Sequence, residues 1–299
     1  MSKNAKTSRK LGLKAKTRLG NIIAHAVIII MCAIWVIPFV CILLESFRME
    51  ATYQVGYVIP KEWGLGNYVK LLTEVESGAV MPKFVQWYLN TLIIGIAVAL
   101  IQTFTVLCVS YTLSRMRFNG RKFLMNLSLV LGMFPGFVTI IVLYNILSDL
   151  GLTGPGAVPG LILVYTASSG MGFHVAKGFF DTISKSLDEA ARVDGASRAQ
   201  VMFKIILPLA KPIVIYTLLT AFMSPWGDFM FAKYIAHNTS SRMHVAGGLQ
   251  SLIGTPSMIT AHYTEFCAGG VMVAIPITIL FFCLQKYYVE GVTGGAVKG

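Results

Sequence analysis

Six apolar stretches, nearly free of charge, alternate along the chain with polar segments. They cover residues 21–44, 84–114, 123–148, 159–177, 209–232 and 266–285. Crossing about 30 Å of hydrocarbon takes roughly 20 apolar residues in a helix, and the stretches match that scale. The fifth does so only by including Lys211 and Asp228 near its ends. Hydrocarbon offers no water to satisfy backbone N–H and C=O groups, so helix is the form such stretches take. The pattern predicts an all-α integral membrane protein with six transmembrane helices. The first stretch exceeds the roughly 7–15 residues of a signal-peptide core, and no small-x-small site follows it, so it is expected to be a retained anchor.

The polar remainder comprises a basic tail (1–20), connections at 45–83, 115–122, 178–208 and 233–265, and a Gly-rich tail (286–299). A Gly/Pro cluster between Gly151 and Gly160 predicts the turn between the third and fourth stretches, and Asn119-Gly120 a turn in the 115–122 loop. Six crossings return the chain to the side on which it began. Of 25 Lys and Arg residues, 19 fall on the side of the two tails and only 6 on the other. The positive-inside rule then places both termini and the 178–208 loop in the cytoplasm.

Composition agrees with this class: hydrophobic residues make up 55% of the chain and charged residues 13%. The net charge of +12 reads as a topology signal rather than a nucleic-acid footprint, and no nucleic-acid partner is expected. Membrane lipid is the surrounding partner. The five cysteines never form a CxxC and read as small hydrophobes.

The 178–208 loop is the most distinctive segment. Ser186 with Glu189, and Ser197 with Gln200, fit two capping boxes, which predicts two short helices with separate starts. Gly195 can adopt the left-handed conformation that stops the first, and Pro208 disfavours helix at Leu207. Glu189 near a helix start gains roughly 0.3–1 kcal/mol from the backbone dipole. A capped knob of this kind suits presentation to another molecule.

The residues of that loop also carry a resemblance. Glu189-Ala190-Ala191, Asp194-Gly195-Ala196 and Leu207-Pro208 resemble the EAA loop of permease subunits of ATP-binding-cassette (ABC) importers, the loop that docks on the ATPase. Further strings are similar to the maltose/maltodextrin (MalG-type) permeases of carbohydrate importers: Ser46-Phe47-Arg48, Asn67-Tyr68, Asn90-Thr91, the Arg115 to Lys122 turn, Lys177 to Ile183 and the Gly291 to Gly299 tail. The resemblance implies a type I ABC importer permease fold with a cytoplasmic coupling helix, in a bacterial inner or plasma membrane. It also implies a second homologous permease in a heterodimer, two ATPase subunits that bind ATP and Mg, and an extracytoplasmic solute-binding protein. Coupling to the ATPase would fall to Ser186, Leu187, Glu189, Ala190, Ala191, Asp194, Gly195, Ala196 and Pro208, with a tail contact at Gly294, Gly295 and Lys298. A maltodextrin is the implied cargo, and another plant or starch oligosaccharide remains open.

The chain lacks its own engine. It contains no Gly-Lys dipeptide and hence no phosphate-cradling Walker loop, and neither HExxH nor GxSxG occurs. No enzyme activity, metal or cofactor is expected of it. Ionisable residues are nearly missing from the apolar stretches, which weighs against ion-coupled transport. Neutral hydrogen-bonding groups do occur there, and they suit a sugar's hydroxyls as well as interhelical bonding. Gln102, Tyr165, Ser168 and Thr220, with Trp226 and Asp228 toward the outer end of the fifth stretch, are the candidates for a substrate path. The alternative from a different class is a stand-alone channel or facilitator for a small neutral solute.

Overall fold

The computed structural model describes residues 2–50, 56–75, 79–134, 136–168, 170–237 and 242–293. Among them the chain is helical, without strands beyond an isolated bridge between Arg48 and Trp63. Helix α1 (Ser2–Ser46) joins the basic tail and the first apolar stretch in one element. A short α2 (Gly66–Thr73) leads to α3 (Lys83–Arg115). Then come α4 (Arg121–Gly132), α5 (Gly136–Asp149), α6 (Ala157–Ala167) and α7 (Gly170–Thr182). The 178–208 region holds α8 (Ser186–Val193), α9 (Arg198–Gln200), a π-helical turn (Val201–Ile206) and α10 (Leu207–Leu209). Helices α11 (Lys211–Gly227), α12 (Met230–Ala236), α13 (Val245–Leu252) and α14 (Pro256–Thr293) complete the chain.

Helix α3 is the hub. It packs against α6, α7, α11 and α13, while α14 joins α1, α11 and α13. Two cores form along it. One centres on Trp87, Ile94, Leu161, Tyr165, Trp226 and Ile235, and the other on Val106, Tyr111, Phe180, Val201, Ile206 and Ile213. The apolar part of α1 is bare: Ile29, Trp35 and Phe39 are 66–72% exposed, a surface that only hydrocarbon or another protein satisfies.

The third and fourth apolar stretches differ from single straight spans. Each is divided, into α4 and α5 and into α6 and α7, and Val138–Asp149 meets Gly154–Ala167 at 103°. The close packing of that turn is the reason for its glycines: a Cβ on Gly156 or Gly160 would lie 2.3 Å from the carbonyl oxygen of Gly151 or Leu152. Among the described residues, three helices are long and apolar enough to cross a membrane, or up to five if each bent pair counts as one span.

Between α1 and α3 the segment is organised around a buried cation. Arg48 is 1% exposed; its Nε and Nη2 donate to the Glu45 carboxylate at 2.8 and 2.9 Å, and Nη2 also reaches the carbonyls of Tyr57 and Val58. Asn67 donates to the carbonyls of Ser46 and Arg48 and accepts from Thr264, tying α2 and α14 to this node. Asn90 and Thr91 act likewise on α13, bonding the Met243 carbonyl and the Val245 N–H. The polar pairs that stand out in the sequence are thus fasteners of the folded chain.

Candidate functional site

Helix α8 projects from the second core on one buried contact. Ala191 is 8% exposed, whereas Leu187 is 41% and Val193 87% exposed, and Ser186, Glu189, Ala190, Asp194 and Gly195 are exposed as well. Ala196 is partly buried against the core. The helix ends in a Schellman motif: Gly195 has φ +85°, its N–H donates to the Arg192 carbonyl at 3.1 Å, and the Ala196 N–H donates to the Ala191 carbonyl at 2.9 Å. A glycine follows Asp194 because the chain must turn through a region that side chains avoid.

The start of α8 departs from the expected capping box. Ser186 is already helical, Lys185 holds the cap position with φ −69° and ψ −20°, and no side chain caps the helix. The Ser186 hydroxyl instead lies 2.8 Å from that of Ser184. The second box does form, with Ser197 Oγ accepting from the Gln200 N–H at 3.3 Å and Gln200 Oε1 accepting from the Ser197 N–H at 2.7 Å. The helical run that this box starts is longer than the expected short helix. Pro208 does not end it at Leu207, because the π-helical turn 201–206 shifts the bonding pattern ahead of the proline. The break comes at Ala210, where Arg198–Leu209 and Lys211–Gly227 meet at 85°. Pro208 is exposed there.

Anchoring of α8 uses residues that motif reading passed over. Arg115, at the end of α3, places Nε 3.2 Å from Asp188 Oδ2 and donates through Nη2 to the carbonyls of Phe180 (3.0 Å) and Ile183 (2.8 Å). Those carbonyls lie at and just beyond the end of α7, where backbone acceptors run short of helical donors; that of Phe180 also accepts from the Ile183 N–H at 3.2 Å. One guanidinium therefore clamps α3, α7 and α8. Beside it Asp181 accepts from Ser114 at 2.6 Å and pairs with Lys177 at 2.5 Å. Partial burial raises the Asp181 pKa, but these two partners outweigh it and hold the group below the usual carboxylate range. The signal available in sequence was a basic residue, Arg115, at the border of an apolar stretch, and an acidic one, Asp188, in the polar 178–208 loop.

The candidate path residues gather in part. Gln102 Nε2 and Ser168 Oγ both donate to the Tyr165 carbonyl, at 3.0 and 3.1 Å, and the Tyr165 hydroxyl donates to Asp228 Oδ2 at 2.8 Å. Asp228 Oδ1 accepts from the Phe231 N–H and so starts α12. Four of the six residues thus form one polar cluster linking α3, α6 and the α11–α12 junction. Trp226 stands apart from it, 3% exposed and edge-on to Tyr88 at 5.3 Å, with its indole N–H unpartnered. Thr220 bonds back to the Tyr216 and Thr217 carbonyls of its own helix. Gly294, Gly295 and Lys298 lie outside the described residues. Among the described residues, no group of three or more His, Cys, Asp or Glu side chains is placed to hold a metal.

Two bent helix pairs, Val138–Asp149 with Gly154–Ala167 and Arg198–Leu209 with Lys211–Gly227, flank the projecting α8 along the chain. The chain belongs to the family described as the binding-protein-dependent transport system inner membrane component, which matches residues 109–294. It is 32% identical to a galactooligosaccharide transport system permease protein, GanQ, of Bacillus subtilis, over 96% of this chain and 99% of the relative. It is 31% identical to a maltodextrin transport system permease protein, MdxG, of the same organism, over 99% of this chain and 100% of the relative. The fold is also that of a chain in the crystal structure of a bacterial ABC transporter involved in import of the acidic polysaccharide alginate. That chain has a TM-score of 0.73 and 22% identity, with 91% of this chain and 97% of that one covered.

Proposed function

We propose that this chain is one of two homologous permease subunits of an ATP-driven carbohydrate importer in a bacterial cell membrane. ATP and Mg are bound by two partner ATPase subunits, and an extracytoplasmic solute-binding protein delivers the cargo. The observation that carries the reading is α8: a helix exposed on Leu187, Ala190 and Val193, closed by a Schellman turn and clamped to α3 and α7 through Arg115. Such a helix has a free face for an ATPase groove and a stiff root for transmitting force. ATPase closure displaces α8, and the Arg115 clamp passes the displacement to α3 and α7. Six crossings with cytoplasmic termini fit the basic-residue bias, with the bent segments packed into the bundle.

The cargo is a neutral oligosaccharide, a maltodextrin first among them, since the Gln102, Tyr165, Ser168 and Asp228 cluster offers hydroxyl-matching groups with one charge. The galactooligosaccharide and maltodextrin relatives support an oligosaccharide. The test is reconstitution with the partner permease, ATPases and binding protein. Uptake that requires ATP and is stimulated by maltodextrins over galactooligosaccharides supports the proposal in full. ATP-dependent uptake with the opposite preference corrects the cargo alone. Passive flux through this chain by itself overturns the importer reading in favour of a facilitator.

A further inference from the structure

Behind α8 lies a cleft of about 480 Å³ walled by the end of α3, by α8 and by α9. Five cations line it: Arg115, Arg117, Lys185, Arg192 and Arg198. Two carboxylates, Asp188 and Glu189, also line it, which leaves the cations in excess, and Asp188 pairs with Arg115. Among the described residues, none of the other four forms an ion pair, and the contact of Arg198 with the Met116 sulfur at 3.8 Å is no substitute. Arg115 adds a second observation. Its side chain is 4% exposed, yet Nη1 is buried with no hydrogen-bond partner. A guanidinium so deep in the protein ordinarily has its donors satisfied, because an unmet charged donor is costly.

The geometry points to a binding site for a phosphate-class anion in this cleft. A tetrahedral oxyanion accepts several guanidinium hydrogen bonds at once, which a single carboxylate does not, and several cations border one concave space here. The cleft sits at the end of α3, which at 33 residues is longer than the roughly 20 that cross hydrocarbon, so it opens on the aqueous side of the bilayer, where both anionic headgroups and soluble anions occur. The ligand is therefore a phosphodiester headgroup of an anionic lipid or a soluble phosphate, the recognised chemistry being the same. Occupancy would bridge α3, α8 and α9 and stiffen the root of α8. This goes beyond the proposed function and needs no ATPase.

The test is amide hydrogen exchange over residues 185–200 in the intact chain held in lipid nanodiscs at fixed ionic strength. In one arm phosphatidylcholine discs are titrated with inorganic phosphate; in the other, phosphatidylglycerol replaces part of the lipid without added phosphate. Ligand present at about ten times its Kd corresponds to roughly tenfold slower exchange of amides that open only from the free form. Slowing in the first arm, lost in the Arg117→Gln/Arg198→Gln double variant, supports a soluble phosphate. Slowing in the second arm alone, lost in the same variant, supports a lipid headgroup. No slowing in either arm overturns the site, as does slowing that the double variant retains. Slowing that appears only when ATPase subunits are added assigns the cleft to a protein interface and also overturns it. ATPase retention, measured separately by co-purification, reports on the proposed function independently.

Discussion

Substitution at Gly195 tests the α8 lever with little interference from packing. The residue has φ +85°, and a Cβ there would meet no atom within 4 Å, so any effect comes from backbone conformation rather than a clash. A side chain in the left-handed region costs roughly 1–2 kcal/mol. Replacing glycine also restricts the unfolded chain, which offsets about 0.4–1 kcal/mol. Gly195→Ala is therefore expected to weaken the turn by on the order of 1 kcal/mol, a roughly fivefold rise in local opening. Gly195→Val, being β-branched, loses more, and Gly195→Asn less, because asparagine tolerates this region. Hydrogen exchange at Gly195 and Ala196, whose N–H groups make the 3.1 and 2.9 Å bonds, reads the opening directly. ATPase co-purification and uptake should fall in the order Gly, Asn, Ala, Val while membrane insertion is unchanged. Uptake by the Val variant equal to that of the parent, or an Asn variant no better than Val, would refute the reasoning.

Three further outcomes are expected. Arg48→Met strands the Glu45 carboxylate and two backbone carbonyls, and breaking such a buried pair costs about 3–5 kcal/mol; thermal unfolding in detergent should show the loss, with Arg48→Lys giving incomplete rescue. Gly248→Ala places a Cβ 2.1 Å from the Trp87 ring, so α13 should shift and stability fall by about 1–3 kcal/mol, visible as altered Trp fluorescence and a lower melting temperature. His244 supplies a pH dependence. Burial holds its pKa below the ordinary value, against the opposing influence of Asp228, and its Nδ1 accepts from the Gly247 N–H at 3.1 Å to cap α13. The neutral ring is the folded form, so its contribution is complete above the unfolded pKa of about 6.5 and is lost as pH falls below it. Protection of the α13 amides, taken relative to the intrinsic exchange rate, should fall as pH drops below about 6.5, and a His244→Asn variant that keeps the same pH profile would show that another group is responsible.

Much of the chain's class was legible in its residue order. Long uncharged runs dictate helices in hydrocarbon, because nothing else satisfies the backbone there. Gly195 and the Ser197/Gln200 pair act within a few residues of themselves, so local chemistry settled both. Ser186 obeyed the same rule on paper and failed it, because the chain entering α8 is already helical at Lys185 and offers no extended cap position. Pro208 likewise met a π-helical turn that moved the break to Ala210.

Other features belong to the packed molecule alone. The Gly151–Gly160 cluster marks a turn in the sequence, but its 103° angle between Val138–Asp149 and Gly154–Ala167 follows from the close backbone approach at Gly156 and Gly160. The pairing of Arg115 with Asp188, 73 positions along the chain by number, and the convergence of Gln102 and Asp228 on Tyr165 depend on α3 lying against α6 and α7. Sequence order alone determines where the chain is apolar and where it turns, because those are short-range properties. Which polar groups meet across helices is decided only when the helices pack, since that contact depends on distance in space.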